Sequence, residues 1–125
     1  MSLALALMLT GQAVTVDWPA LSPLPYRAPP LVTEEMHDFA RREAIDRKCP
    51  LPASMGENQV LVAEVAVLVD AAGNVRGAVP RAISCPTVEQ YAAGLVAGFA
   101  RGNLLPRVGT GEIWYKTSVT FSWKK

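Results

Sequence analysis

From Ile113 to Trp123 the chain alternates: Ile113, Tyr115, Thr117, Val119, Phe121 and Trp123 are large, apolar or β-branched. Lys116, Ser118, Thr120 and Ser122 between them are polar, and Trp114 departs from the pattern. A period of two predicts a strand with one buried face. A second stretch, "QVLVAEVAVLVD", is nearly unbroken apolar sequence rich in valine. It predicts a strand with neighbours on both sides. The turn residues of "DAAGNVRG" follow it, so a hairpin is expected. The return strand, "NVRGAVPRAIS", carries Gly77 and Pro80. Proline has no N–H for a ladder, so this strand is expected to lie at a sheet edge or to be bulged.

Two stretches change period to that of a helix. In "TEEMHDFARREAIDRK", Met36, Phe39, Ala40 and Ala44 form one stripe. Thr33 is a capping residue, Glu34 and Glu35 suit the positive end of the dipole, and Asp38–Arg42 and Glu43–Arg47 stand at i,i+4. An amphipathic helix over 34–47 is predicted. In "SCPTVEQYAAGLVAGFARG", Val88, Tyr91, Ala92, Leu95, Val96 and Phe99 recur at helical spacing after Pro86, predicting a helix over 86–101. Its Ala93, Gly94, Ala97 and Gly98 permit close approach to a sheet.

The order is helix, strand, strand, helix, strand. A hairpin cannot bury its apolar face alone, so the second helix must cover the sheet. The predicted fold is α+β and two-layered: a three-stranded antiparallel sheet of order 2-1-3, a helix on one face, and the N-terminal amphipathic helix beside it.

Composition bounds the rest. The 125 residues are 50% hydrophobic and 18% charged, enough for one small domain with a real core. A net charge of +1 argues against nucleic acid as a partner. Residues 1–13 carry an uncharged run, Leu3–Leu9, with small residues Gly11 and Ala13 before a possible cleavage point. They read as an export signal or a short membrane anchor. Residues 14–33 are a Pro-rich connector, with five prolines among the fourteen residues "DWPALSPLPYRAPP"; a ligand for an aromatic groove is the rival reading. Residues 34–125 form the folded domain.

Cys49 and Cys85 are an even pair in a small chain, and export makes them a disulfide. Two free thiols, or half of a metal site, are the alternatives. Metal ligation is poorly served: His37 is the single histidine and there is no C-x-x-C. Ser84, Thr87 and Ser118 have no histidine at a recognisable spacing, and Glu64 and Asp70 stand six residues, or about 20 Å, apart along a strand. Cys85, ahead of a helix, is the one residue with reactive potential. No enzyme and no cofactor are expected.

Residues 60–123 resemble the C-terminal domain of the TonB family of energy transducers. The resemblance rests on "VAVLVDAAGNVRGAVPRAIS", "VEQYAAGLVAGFARGNLLPRVGTGE" and "VTFSW" in that order. The matching positions are Asp70, Gly73, Val75, Ser84, Ala92, Pro106, Gly109, Val119 and Phe121. The resemblance implies a periplasmic domain, with a tether to the inner membrane and its proton-channel complex as part of the same expectation. It further implies binding of an extended plug peptide of an outer-membrane receptor by strand addition. The pairing surface would be the terminal edge strand: Ile113, Trp114, Tyr115, Lys116, Thr117, Ser118 and Val119. The alternative is a periplasmic structural module in which the terminal strands of two copies pair.

Overall fold

The computed structural model describes residues 15–54, 56–107 and 109–125. The export segment expected over 1–13 lies outside them. A 3-10 turn, Trp18–Ala20, precedes strand β1 (Ser22–Pro23). Helix α1 (Glu34–Asp46), strands β2 (Asn58–Val69) and β3 (Val75–Pro80), helix α2 (Pro86–Ala100) and strand β4 (Ile113–Lys124) follow.

The sheet has four strands in the order β1-β4-β2-β3. β2 pairs antiparallel with β3 and with β4, while β1 pairs parallel with β4. The expected three-stranded antiparallel sheet is therefore corrected to a four-stranded mixed one. The added strand comes from the Pro-rich stretch read as a connector. Proline is admitted at a sheet edge when its missing donor faces away from the ladder. Here the Leu24 N–H donates to the Lys116 carbonyl at 2.7 Å, so Pro23, of opposite parity, directs its main chain away from β4. The serine and leucine flanking Pro23 are what make the two-residue pairing possible.

Both helices lie on one face. Along β2 the odd-numbered residues Leu61, Ala63, Val65, Val67 and Val69 are buried, and Val119 and Phe121 join them from β4. α2 contributes Val88, Ala92, Ala93, Val96 and Ala100; α1 contributes Ala40 and Ala44. The alanines keep the helix axes close to each other and to the sheet. Tyr91 links the layers, its ring 4.1 Å from Phe39 on α1 and 6.1 Å from Phe121 on β4. Thr33 caps α1 by accepting from the Met36 N–H, and the Asp38–Arg42 and Glu43–Arg47 pairs form on its exposed side. At α2 the cap is different: Pro86 opens the helix, and Glu89 reaches back to accept from the N–H groups of Ile83 and Cys85.

Cys49 and Cys85 form a disulfide, with Cα atoms 5.3 Å apart. It ties the loop after α1 to the N-cap of α2 and so fixes the two helices to each other. Asp70 organises the β2–β3 hairpin. Its carboxylate accepts from the Ala72 and Asn74 N–H groups, and Gly73, at φ +87°, takes the left-handed position of the turn. These bonds, the Asn74 amide first, hold the Asp70 carboxyl below the ordinary aspartate range.

Two outcomes follow from these contacts. Closing 36 residues of chain removes unfolded-state entropy, so Cys49→Ser/Cys85→Ser should lower unfolding free energy by about 3–4 kcal/mol, measured by urea titration. The lowered Asp70 pKa means stabilisation that is complete above the unfolded aspartate value near 3.9 and is lost as pH falls through the folded value. Asp70→Asn should flatten the fall of stability in that acid range, and an unchanged pH profile would show that the turn carboxylate is not coupled to folding.

Candidate functional site: the outer edge of β4

The register of β4 on β2 decides which atoms β4 has to offer. It runs unbroken from Asn58↔Lys124 to Val69↔Ile113. Alternate residues of a strand turn their main-chain groups to opposite sides. The Leu24 N–H bonds the Lys116 carbonyl, and the Ser122 N–H donates to His37 Nδ1 at 3.0 Å. Even-numbered residues of β4 therefore face outward, and odd-numbered residues are committed to β2.

This parity divides the seven residues expected to form a peptide-binding edge. Trp114, Lys116 and Ser118 turn their N–H and carbonyl groups to the outer side. Ile113, Tyr115, Thr117 and Val119 turn theirs to β2, across from Val69, Val67, Val65 and Ala63. The Val119 side chain is buried in the core and Ile113 is 41% exposed. The edge also extends further than expected, through Thr120 to Ser122.

Part of that edge is occupied. Ser22 and Pro23 align with Tyr115 and Lys116. Leu24 is buried, and from there the chain turns back along the loop before β4. The Tyr26 N–H bonds the Leu24 carbonyl, Tyr26 bridges to Leu104, and the Arg27 N–H bonds Asn103. Burial holds the Tyr26 phenol above its usual pKa, against a hydrogen bond with Thr117 that acts in the opposite direction. Upstream of β1 the chain crosses the sheet face opposite the helices. There the Trp18 ring lies 5.3 Å from the Arg81 guanidinium, and its carbonyl accepts from Lys116 Nζ at 3.3 Å. Arg81 is also paired with Glu64 at 2.8 Å. Ala66, across from Lys116 on this face, is fully buried.

Beyond Leu24 the edge opens. Ser118 and Thr120 are exposed, and among the described residues no strand runs along them on the outer side. A recess of about 280 Å³ lined by Pro23, Leu24, Glu64 and Lys116–Ser118 marks where β1 leaves the edge. At the far end, a cleft of about 660 Å³ separates α1 from the ends of β2 and β4, lined by Glu34, His37, Asp38, Arg41, Asn58 and Lys124 among others. His37 closes the outer edge at Ser122, its ring edge-on to Phe121 at 6.5 Å. The arrangement offers main-chain donors and acceptors to an extended chain. Among the described residues no three His, Cys, Asp or Glu side chains gather as a metal site.

Trp18, Leu24, Arg81, Thr120 and His37 are the residues of this site that the sequence reading did not select. The signal for Thr120 was present, because the alternation runs past Val119. The signal for Leu24 was an apolar residue between two prolines, which reads equally as linker. Leu24→Ala should cost about 2–4 kcal/mol in thermal or urea unfolding, as expected for a buried leucine. Leu31→Ala, at 78% exposure in the same stretch, should change stability by less than about 0.5 kcal/mol. Equal, small effects would show that this stretch is not part of the fold. No family model matches the chain, and no curated protein or solved structure matches it at a significant level.

Proposed function

We propose that the chain is an exported, TonB-like protein-binding domain that takes up an extended peptide by strand addition at the outer edge of β4. The observation that carries this reading is the edge itself. It already holds one extended segment at Lys116, and it presents Ser118 and Thr120 beside that segment with no strand along them among the described residues. An edge of this kind attracts a further strand, because main-chain groups gain partners whatever the incoming sequence. The Cys49–Cys85 disulfide supports an oxidising compartment, which for this kind of domain is the periplasm. The partner is then a plug segment of an outer-membrane receptor, and coupling to an inner-membrane proton-channel complex belongs to the same reading. No catalytic role is assigned.

Self-association through β4 is the competing use of the same atoms, and one substitution distinguishes them. Ser118→Pro removes an outward N–H while leaving the β2–β4 hydrogen bonds of Thr117 and Val119 in place. Synthetic plug-segment peptides of outer-membrane receptors, titrated calorimetrically, should bind the unmodified chain and bind Ser118→Pro roughly five- to tenfold more weakly, the loss of one main-chain hydrogen bond. Both proteins should elute as monomers. A dimer that dissolves in Ser118→Pro, with no peptide bound by either protein, would instead assign the edge to a second copy.

A further inference from the structure

We infer that the outer edge of β4 is gated: residues Asp17–Pro23 hold its first part closed and yield it to an incoming peptide by swinging out about Leu24. This inference rests on the strand-addition reading and adds to it how the site is regulated and how the partner runs.

The segment is fixed unevenly. At one end Leu24 is buried, and the chain beyond it is bound to the loop before β4 through Tyr26, Arg27 and Leu105. That end is an anchor. Upstream of it, Ser22 and Pro23 are exposed and pair with only two residues of β4. Leu21, Pro19 and Ala20 contribute no residue to the core, and the 3-10 turn buries none of its side chains. The upstream hold consists of the Trp18 ring beside Arg81 and the bond from Lys116 Nζ to the Trp18 carbonyl. A cation–π contact with one partner in solvent is a weak hold. A two-residue pairing with so weak a clasp opens at far lower cost than the fold.

What the segment covers is the continuation of the open edge. With residues 17–23 swung away, the outward groups of Trp114 and the outward N–H of Lys116 are exposed on one side of Leu24, as those of Ser118 and Thr120 already are on the other. Ser22–Pro23 run parallel to β4, and an incoming peptide that takes their places and the place of Trp18 runs parallel too. The place vacated by Trp18, beside the Arg81 guanidinium, suits an aromatic side chain of the partner. The gate thus favours an extended peptide carrying an aromatic residue ahead of its paired positions, and it discourages uninvited strands at an otherwise sticky edge.

The test uses the complete chain. Trp18→Ala should open the clasp without touching the core, and Trp18→Phe should keep it closed. Opening is read by exchange of the outward Lys116 amide, which Ser22–Pro23 cover, against the amides of Thr117 and Val119, which belong to the β2–β4 ladder. The probe is a labelled nine-residue peptide of the chain's own sequence, "DWPALSPLP", which carries the tryptophan and the pairing residues. The account predicts faster Lys116 exchange in Trp18→Ala, unchanged exchange at Thr117 and Val119, and probe binding about tenfold tighter than to the unmodified chain or Trp18→Phe, as an increased open fraction requires. Unchanged Lys116 exchange in Trp18→Ala overturns the gate. Faster exchange with equal probe binding to all three proteins also overturns it, while leaving strand addition standing. Faster exchange with no probe binding to any protein overturns strand addition at this edge.

Discussion

The pairing of β2 with β4 is the constraint on which the rest of the structure depends. Twelve residues of each strand are in register, from Asn58↔Lys124 to Val69↔Ile113. The register places Val119 and Phe121 on the same side as Ala63, Val65 and Val67, which creates the surface that α1 and α2 cover. It also fixes the parity of the main chain. A shift of one residue would move Phe121 to the open face and would exchange the atoms committed to β2 with those offered outward. Core and edge are thus two consequences of one register. The disulfide secures the opposite layer, holding α1 against α2 while Tyr91 packs between Phe39 and Phe121.

β4 is consequently an edge that is only partly closed. Its first part is covered by Ser22–Leu24, its far end is capped at Ser122 by His37, and Ser118 and Thr120 lie open between them. Lys116 belongs to both arrangements. Its carbonyl receives Leu24, and its ammonium reaches back to Trp18. A strand so placed is guarded against indiscriminate pairing at both ends, yet retains a short accessible row of donors and acceptors. That combination is what a strand-addition site requires: affinity from the main chain, and control from whatever limits access to it.

Much of this arrangement was legible in the residues, and the exceptions have identifiable causes. The alternation from Ile113 to Trp123 and the valine run at 59–69 are strong period-two and buried-strand signals, because burial selects side chains at every position. The helix at 86–100 is equally explicit, with Pro86 at its start and Val88, Ala92 and Val96 on one stripe. The fourth strand was missed because proline density argues for an isolated extended segment, and the pairing of Ser22 and Leu24 depends on a partner 93 positions away (115 − 22). No local pattern encodes such a contact. The division of the edge is hidden for a different reason. Residues 113–119 are continuous in sequence, whereas strand parity gives their main-chain groups to opposite neighbours in alternation. His37, read from its helix as a surface residue, meets Ser122 only through the docking of α1.

The central claim is that β4 presents an alternating, partly open outer edge. Residue-resolved amide exchange of the unmodified chain measures this directly. Tyr115, Thr117, Val119 and Phe121 should exchange slowly through their bonds to β2, and Ser122 should be slowed by His37. Ser118 and Thr120 should exchange fast, close to the rate of exposed chain. Protection of Ser118 and Thr120 equal to that of their odd-numbered neighbours would show the edge closed along its whole length, and would contradict the account.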